Sequence, residues 1–537
     1  MERLGRVASA ASRFSESINV FRTGSRYLAR RRFEFALKEI QFRDDQLVTE
    51  SVILDGTWDN PNYWLRVQLL LSALGIRGEQ IHGVLGPFRA RQQAATMRGM
   101  GISIYHRMND LGGQGFADKA ALLWEKLKCA SEILEWELPF NMPPALLYDH
   151  ILKRQRTTTI CIEDSDGPIH IREFLKSLEA ANRVFQSECP GLFIASHAVG
   201  VISAWVWVAL YHGIRVIVPY GKNGLCRYWS IQDPSSIFDF LGRPSQQSLE
   251  SVPVNKQSDW EEIGSMEIAR RLQGKTQDLG ASCAYPNESA RVGRNDICDR
   301  FNWDPSRRIV AFYASNWFDY PHTFGMECFT DHWDLIQTIM ATAQRSKKIN
   351  WLLKGHPCDD WYGSEKFREV MAGVETAHIR LADESWNGAE LLGAVDSVVT
   401  CHGTVGVEAA VLGKSVLVAD RGWYEDVGFV RKARDREHFI ELLGSEWWKD
   451  LNLQATTLGA CRFAGLFWGC PAWQSGFELS DDSKQWAIYE TAPKLISSFS
   501  KVIAQEVVTI GDWFNSGQSN YHTFKMHQAD IFLRKTA

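Results

Sequence analysis

Hydrophobic positions along this chain fall into short unbroken runs separated by longer stretches of helical spacing. Apolar runs of about four to eight residues bounded by turn residues predict buried strands, and apolar residues at i, i+3 and i+4 predict helices with one covered face. The first run, Ser51–Leu54, ends in the loop Asp55-Gly56-Thr57-Trp58-Asp59-Asn60-Pro61, and a helix over Tyr63–Leu74 follows. Gln80–Leu85, Ile102–Tyr105 and Thr158–Ile162 read as strands, with helices at Ala90–Met97 and Ile169–Gln186. Leu192–Ile214 is apolar over roughly the ~20 residues a membrane span needs. Ser196-His197, Gly200 and Gly213 interrupt it, however. It divides into a strand at Leu192–Ala195 and a helix at Val199–His212, with a second strand at Arg215–Val218. That is a βαβ unit rather than a span.

Between Arg243 and Asn302 the pattern weakens into a polar connection with one expected helix near Glu261–Leu272. Alternation resumes with strands at Arg308–Ala314, Asn350–Leu353, His378–Leu381, Ser397–Thr400 and Ser415–Ala419. The helices between them are expected at His332–Arg345, Ser364–Ala372, Asn387–Val395 and Val405–Leu412. Beyond Ile440 the chain is rich in tryptophan (Trp447, Trp448, Trp468, Trp473 and Trp486). A helical stretch near Gln485–Val502 is expected to kink at Pro493 and to cross back onto the first half. Strands alternating with helices imply parallel sheets covered on both faces. The predicted class is therefore α/β of the GT-B type: two Rossmann-like domains facing a cleft, with a C-terminal helix returning to the first domain. The expected divisions are a basic leader 1–45, a first domain 46–242, a linker 243–302, a second domain 303–440 and a Trp-rich segment 441–537.

Composition narrows this picture. Hydrophobic residues make up 45% and charged residues 23% of 537, which suits two packed cores and excludes a mainly disordered chain. A net charge of −5 lacks the basic surplus of a protein that tracks nucleic acid, so no nucleic-acid partner is expected. Arginines are locally dense in the leader, at Arg3, Arg6, Arg13, Arg22, Arg26 and Arg30–Arg32, among Phe14, Ile18, Phe21, Tyr27 and Leu28. Two readings stand: a basic amphipathic helix on the cytoplasmic face of the inner membrane, or a solvated leader or surface helix, the second favoured. The 11 cysteines include no Cys-x-x-Cys pair, and no signal peptide is evident. A reducing, cytoplasmic location follows as an expectation, with no cofactor and no metal ligands.

Three motifs fall just past predicted strands of the second domain, where open parallel sheets bind ligands. In Trp351-Leu352-Leu353-Lys354-Gly355-His356-Pro357 a strand runs out into two residues able to meet a phosphate. In Thr400-Cys401-His402-Gly403-Thr404-Val405-Gly406-Val407-Glu408 a strand turns through Gly403 into a helix. Free N–H groups at Thr404 and Val405 suit an anion, and Glu408, one turn on, suits ribose hydroxyls. Each also reads as an ordinary strand end or helix cap. In Arg421-Gly422-Trp423-Tyr424-Glu425-Asp426-Val427-Gly428-Phe429, aromatic side chains such as Tyr424 can contact sugar or base, or simply pack.

Taken together these motifs resemble the donor domain of bacterial capsule and lipopolysaccharide biosynthesis glycosyltransferases, a group that includes capsule-type Kdo transferases. The segment Asp319-Tyr320-Pro321-His322 resembles the family's Asp-x-Pro-His element, and Asp331-His332-Trp333 is a shortened form of the helix start after it. The resemblance covers roughly 310–430 well and 150–230 loosely. It implies a nucleotide-sugar donor held by Lys354, His356, Gly403, Thr404, Val405, Glu408 and Tyr424, with Asp319 and His322 close to the chemistry. It implies a glycan or glycolipid acceptor, and residues 303–440 as the donor half facing an acceptor half at 46–242. The aromatic loop lacks the longer Gly-Trp-Gly form of the Kdo transferases, which leaves the donor sugar open.

Glycosyl transfer needs an activated acceptor hydroxyl. First-domain candidates at strand ends are Asp55, Asp59, Glu163, Asp164 and His197, of which Asp164 and His197 most closely follow apolar strands. Arg227 can offset phosphate charge or form a surface salt bridge. Asp164-Ser165-Asp166 also matches the Asp-x-Asp of metal-dependent GT-A transferases, a rival that does not explain the second α/β half. A non-catalytic nucleotide- or glycan-binding component of an envelope assembly, and a nucleotide-sugar 2-epimerase, remain as alternatives.

Overall fold

The computed structural model describes residues 20–108, 116–220, 227–239, 244, 246–250, 252–276, 279–286, 289–363, 365–469 and 485–522. Arg3, Arg6, Arg13 and Trp473 lie outside these. The first domain contains β1 (Val52–Asp55), β2 (Ile81–Leu85), β3 (Ile104–Arg107), β4 (Leu192–Ile194), β5 (Arg215–Tyr220) and β6 (Arg227–Ile231). The second contains β7 (Ile309–Tyr313), β8 (Asn350–Lys354), β9 (Ile379–Leu381), β10 (Ser397–Thr400), β11 (Ser415–Val418) and β12 (Arg431–Lys432), and β13 (Asn520–His522) closes the chain.

The second sheet runs β12-β11-β10-β7-β8-β9, all parallel, and the first runs β13-β6-β5-β4-β1-β2-β3. Each contains the doubly wound order in which the chain reverses direction beside its first strand. The switch points are β1/β4 and β7/β10. β6 and β13 pair antiparallel at the edge of the first sheet. This is the two-domain GT-B arrangement that the strand pattern predicts.

The apolar runs are continuous because both faces of each sheet are covered. Alternate residues face opposite layers: Ile53, Phe193 and Val216 join a cluster that continues through Val310, Phe312 and Trp351 of the second sheet. Val52, Leu54 and Ile194 face a layer shared with Ile488, Tyr489, Ile496 and Ile510 of the C-terminal helices. The helix Gln485–Ser498 therefore returns to the first domain as predicted. It continues through Pro493 and breaks at Phe499, where φ −110° and ψ 20° leave helical geometry before the helix Ser500–Ser516.

Other expectations need correction. Thr158–Ile162 forms no strand: it has no neighbouring strand, and side chains of Glu365 and Gln155 take the N–H groups of Thr158 and Cys161. Of the described residues of the expected helix Ser364–Ala372, only Phe367–Val370 is helical. The connection 243–302 is far more helical than expected, with helices at Val254–Leu272, Leu279–Ala284 and Arg294–Phe301. The first of these crosses the helix Leu453–Trp468 at a backbone-to-backbone contact. A Cβ at Gly264 would lie 1.8 Å from the Cys461 carbonyl oxygen, and one at Gly465 would lie 2.1 Å from that of Trp260. Among the described residues no helix is long and apolar enough to cross a membrane. The leader helix Val20–Lys38 buries Phe33, Ala36 and Leu37 in the first domain, and Arg30 pairs with Asp59 at 3.0 Å.

Candidate functional site

The helix Pro144–Gln155 carries Tyr148, Asp149 and Lys153 among Leu146, Leu147, Ile151 and Leu152. Asp149 and Lys153, four residues apart, share one face and reach the second domain. Asp149 is 1% exposed and accepts from the His322 and Thr323 N–H groups (3.2 and 2.8 Å) and the Thr323 hydroxyl (2.8 Å). It also lies 2.8 Å from His322 Nδ1. Lys153 pairs with Asp319 at 2.9 Å, and Tyr148 donates to Asp331, the N-cap of the helix His332–Arg345, at 2.7 Å. Two polar side chains of one first-domain helix, Lys153 and Asp149, thus hold the two ends of the Asp319–His322 segment, and Tyr148 holds the helix start that follows it. Tyr320 within the segment has φ 53°, a strained value before a proline.

A carboxylate only accepts, so His322 donates to Asp149 through Nδ1, and in the neutral tautomer this leaves Nε2 as the acceptor. His322 Nε2, His332 Nε2 and His402 Nδ1 are all buried without a hydrogen-bond partner among the described residues. Burial, reinforced by His402, His322 and His356, holds His332 well below the usual histidine value. Burial also lowers His402, to about 4. Lys354, at the end of β8, is shifted downward by burial, and its ammonium has no hydrogen-bond or ion-pair partner among the described residues. His356 Nδ1 accepts from the Cys358 N–H at 3.2 Å. Buried polar atoms without a partner occur in several parts of the fold, but His322, His332 and His402 lie together, the His332 and His402 rings 5.4 Å apart, beside the ends of β8 and β10 at the switch point.

At the first-domain switch point Asp55 accepts from the Ser196 amide at 2.9 Å and from its hydroxyl, which lies 2.8 Å from His197 Nδ1. The His197 ring stacks on Trp58 at 6.3 Å, and burial lowers its pKa against the pull of Asp55. Gly200, with φ 57°, lets this turn approach the second domain: a Cβ there would sit 3.1 Å from Tyr320 Oη. The turn that carries His197 thus reaches the second domain at Gly200. Asp164 is placed differently. It occupies the turn before the helix Gly167–Glu188 and accepts from Gln155 and from the Asp166 N–H. With no strand before it, the reason for ranking it high is gone.

Two donor-side expectations are also redirected. Glu408 is 1% exposed, and both carboxylate oxygens are engaged inside the protein, by Arg271 at 3.0 Å and by the Tyr285 hydroxyl. It does not point to open space. Tyr424 is equally buried: its hydroxyl donates to the Gly403 carbonyl at 2.6 Å, while Trp423 Nε1 donates to the His402 carbonyl at 2.7 Å. The aromatic loop braces the turn after β10 from within, packing on Phe463, Phe467 and Trp468. Arg227 is buried too, its guanidinium over Phe467. Gly403, Thr404 and Val405 stay half-buried at the turn, and Thr404 makes no side-chain cap bond to the seven-residue helix Val405–Val411.

Asp149, Lys153, His332 and His402 were not assigned roles from sequence. The available signal was a polar triplet inside the otherwise apolar 146–152 stretch. A Cβ at Gly406 would lie 2.1 Å from Tyr424 Oη. Gly406→Ala is therefore expected to displace Tyr424 and cost about 1–3 kcal/mol by overpacking. Urea unfolding measures this, and Tyr424→Phe in the same chain should recover part of the loss.

The buried histidines also set a pH dependence. Unfolded histidine takes up protons near pH ~6.5, whereas His332 and His402 resist protonation in the fold. The unfolded state thus binds more protons as pH falls, so this stability is complete above that value and declines towards about 4. The midpoint of thermal unfolding should drop from pH 7.5 to 5.5, and His332→Asn should flatten the drop.

No protein-family model matches the sequence, and no curated protein matches it. Among solved structures, KpsC β-Kdo 2,4-transferase of Thermosulfurimonas dismutans is 14% identical, covering 48% of this chain and 79% of its own, with TM-score 0.32. A UDP-GlcNAc 2-epimerase from Neisseria meningitidis, bound to UDP-GlcNAc, is 12% identical over 77% of this chain and 97% of its own, with TM-score 0.22. Anabaena Alr3699/HepE in complex with UDP is 11% identical over 84% and 100%, with TM-score 0.25. Similarities at these TM-scores carry no functional argument, and the two-domain architecture stands on the strand orders of this chain.

Proposed function

We propose that this chain is a glycosyltransferase that moves a sugar from a nucleotide-sugar donor to a hydroxyl of a surface polysaccharide or lipopolysaccharide acceptor. The observation that carries this reading is the group of unpartnered polar atoms at the carboxyl edge of the second sheet: the Lys354 ammonium and the ring nitrogens of His322, His332 and His402. Lys354 and His356 meet the donor phosphates, and the Gly403-Thr404-Val405 turn closes beside them. Asp149 holds the His322 tautomer, and His322 Nε2 takes the proton of the acceptor hydroxyl as its oxygen bonds to the anomeric carbon and the nucleotide leaves. Residues 303–440 act as the donor half and 46–242 as the acceptor half.

A thermal-shift screen against CMP, UDP, GDP and their sugars tests the donor site, because a ligand of the native state raises its apparent stability. One nucleotide class should stabilise the protein, and Lys354→Ala should lose at least about tenfold in its affinity, the loss of one charge-assisted contact. Absence of any shift, or equal binding by the variant, overturns the site. An epimeric sugar formed from donor alone would instead identify a 2-epimerase.

A further inference from the structure

Away from the cleft, on the face of the first sheet under the helix Gly167–Glu188, two histidines and a glutamate converge. β2 and β3 pair in parallel with His82 opposite Ile104 and Val84 opposite His106. His82 and His106 therefore project from the same face of the sheet at diagonal positions, from which their rings can meet. The rings stack at 5.6 Å with an interplanar angle of 23°. Glu188, the last residue of the covering helix, lies with Oε2 2.9 Å from His82 Nδ1 and Oε1 3.5 Å from His106 Nε2. The two ring nitrogens are 3.4 Å apart.

We propose that His82, His106 and Glu188 form a binding site for a zinc-class divalent ion that fastens the edge strand β3 to the helix Gly167–Glu188. A tetrahedral ion with nitrogen and oxygen ligands at about 2.0–2.1 Å needs those ligands roughly 3.3 Å from one another. The nitrogen–nitrogen separation matches that value, each nitrogen lies near it from one of the two Glu188 oxygens, and a turn of the carboxylate selects the oxygen that ligates. Two imidazoles and one carboxylate are a donor set for borderline divalent ions, and three protein ligands leave one position for water. The supporting shell is present as well: the Ser187 hydroxyl lies 3.1 Å from Glu188 Oε1, where it can orient the carboxylate. The side chains are 14%, 17% and 23% exposed, so an ion can enter from solvent. The role is structural. Among the described residues β3 is the outer strand of the sheet and pairs only with β2, and an ion shared among β2, β3 and the helix ties that edge down.

The test uses the full chain stripped with a chelator, dialysed free of it and titrated with Zn²⁺ in competition with a chromophoric indicator. One ion per chain should bind with sub-micromolar affinity and raise the thermal midpoint by several degrees. His106→Gln and Glu188→Gln should each weaken binding at least 100-fold while the far-UV circular dichroism is retained. Cys189→Ser, a neighbouring thiol outside the cluster, should bind as the parent does. X-ray absorption at the zinc edge should show only nitrogen and oxygen neighbours. Binding that survives both Gln variants, a sulfur shell, or no binding at micromolar zinc would each overturn the site.

Discussion

Glu408→Ala is expected to lower stability by about 3–5 kcal/mol, the cost of leaving a buried charge without its partner. Arg271 and Glu408 have side chains only 3% and 2% exposed, and the guanidinium, stacked on Trp468 at 4.5 Å, gives two N–H groups to one carboxylate oxygen. Removing the carboxylate strands that cation and the Tyr285 hydroxyl together. Replacing both charges, as Arg271→Met with Glu408→Leu, should restore most of the loss, because desolvating the pair offsets much of its attraction. Guanidinium unfolding of the two variants and the parent measures both effects. If Glu408→Ala keeps parental stability and loses only nucleotide affinity, the glutamate faces ligand in solution and the internal pairing is wrong. The pair also links the helix Val254–Leu272 to the helix Val405–Val411 that follows β10, so its loss should loosen that edge of the second sheet.

Asp149→Asn is expected to reduce turnover by at least about 100-fold, the scale on which a carboxylate that fixes a base's tautomer acts. The substitution keeps size and shape, but its amide nitrogen must oppose either the His322 or the Thr323 N–H; on the His322 side it donates to Nδ1, which moves the ring proton to Nε2 and removes the free acceptor. Nitrogen NMR of labelled histidine reads that tautomer change independently of activity. A parental His322 tautomer with unchanged turnover would leave Asp149 as an interdomain latch and nothing more.

Much of this architecture was legible in the residues. Val52–Asp55, Asn350–Lys354, Ser397–Thr400 and Ser415–Val418 are short, apolar on both faces and bounded by turn residues, so their pattern could be read without knowing their neighbours. Thr158–Ile162 shows the limit. Its β-branched residues favour an extended chain, but a strand needs a partner, and none lies beside it. The returning strand β13 escaped notice for the converse reason: three residues become a strand only because β6 offers an open edge.

The candidate site divides in the same way. The motifs around Lys354, His356, Gly403 and His322 announce themselves by following strands, since a parallel sheet delivers strand ends to one edge. The direction each side chain takes from there belongs to the tertiary structure. Glu408 and Tyr424 stand at the expected positions yet turn inward, because Arg271, Tyr285 and the Gly403 carbonyl, distant in sequence, arrive to satisfy them. Asp149 gains its importance only when a first-domain helix meets a second-domain loop 173 residues away. By itself the sequence determined two doubly wound domains and the edge of the second on which chemistry is expected, because periodicity and turn residues act locally. Which polar groups are consumed inside the protein and which are left open for a ligand was decided only by the packing of distant segments, which no local pattern encodes.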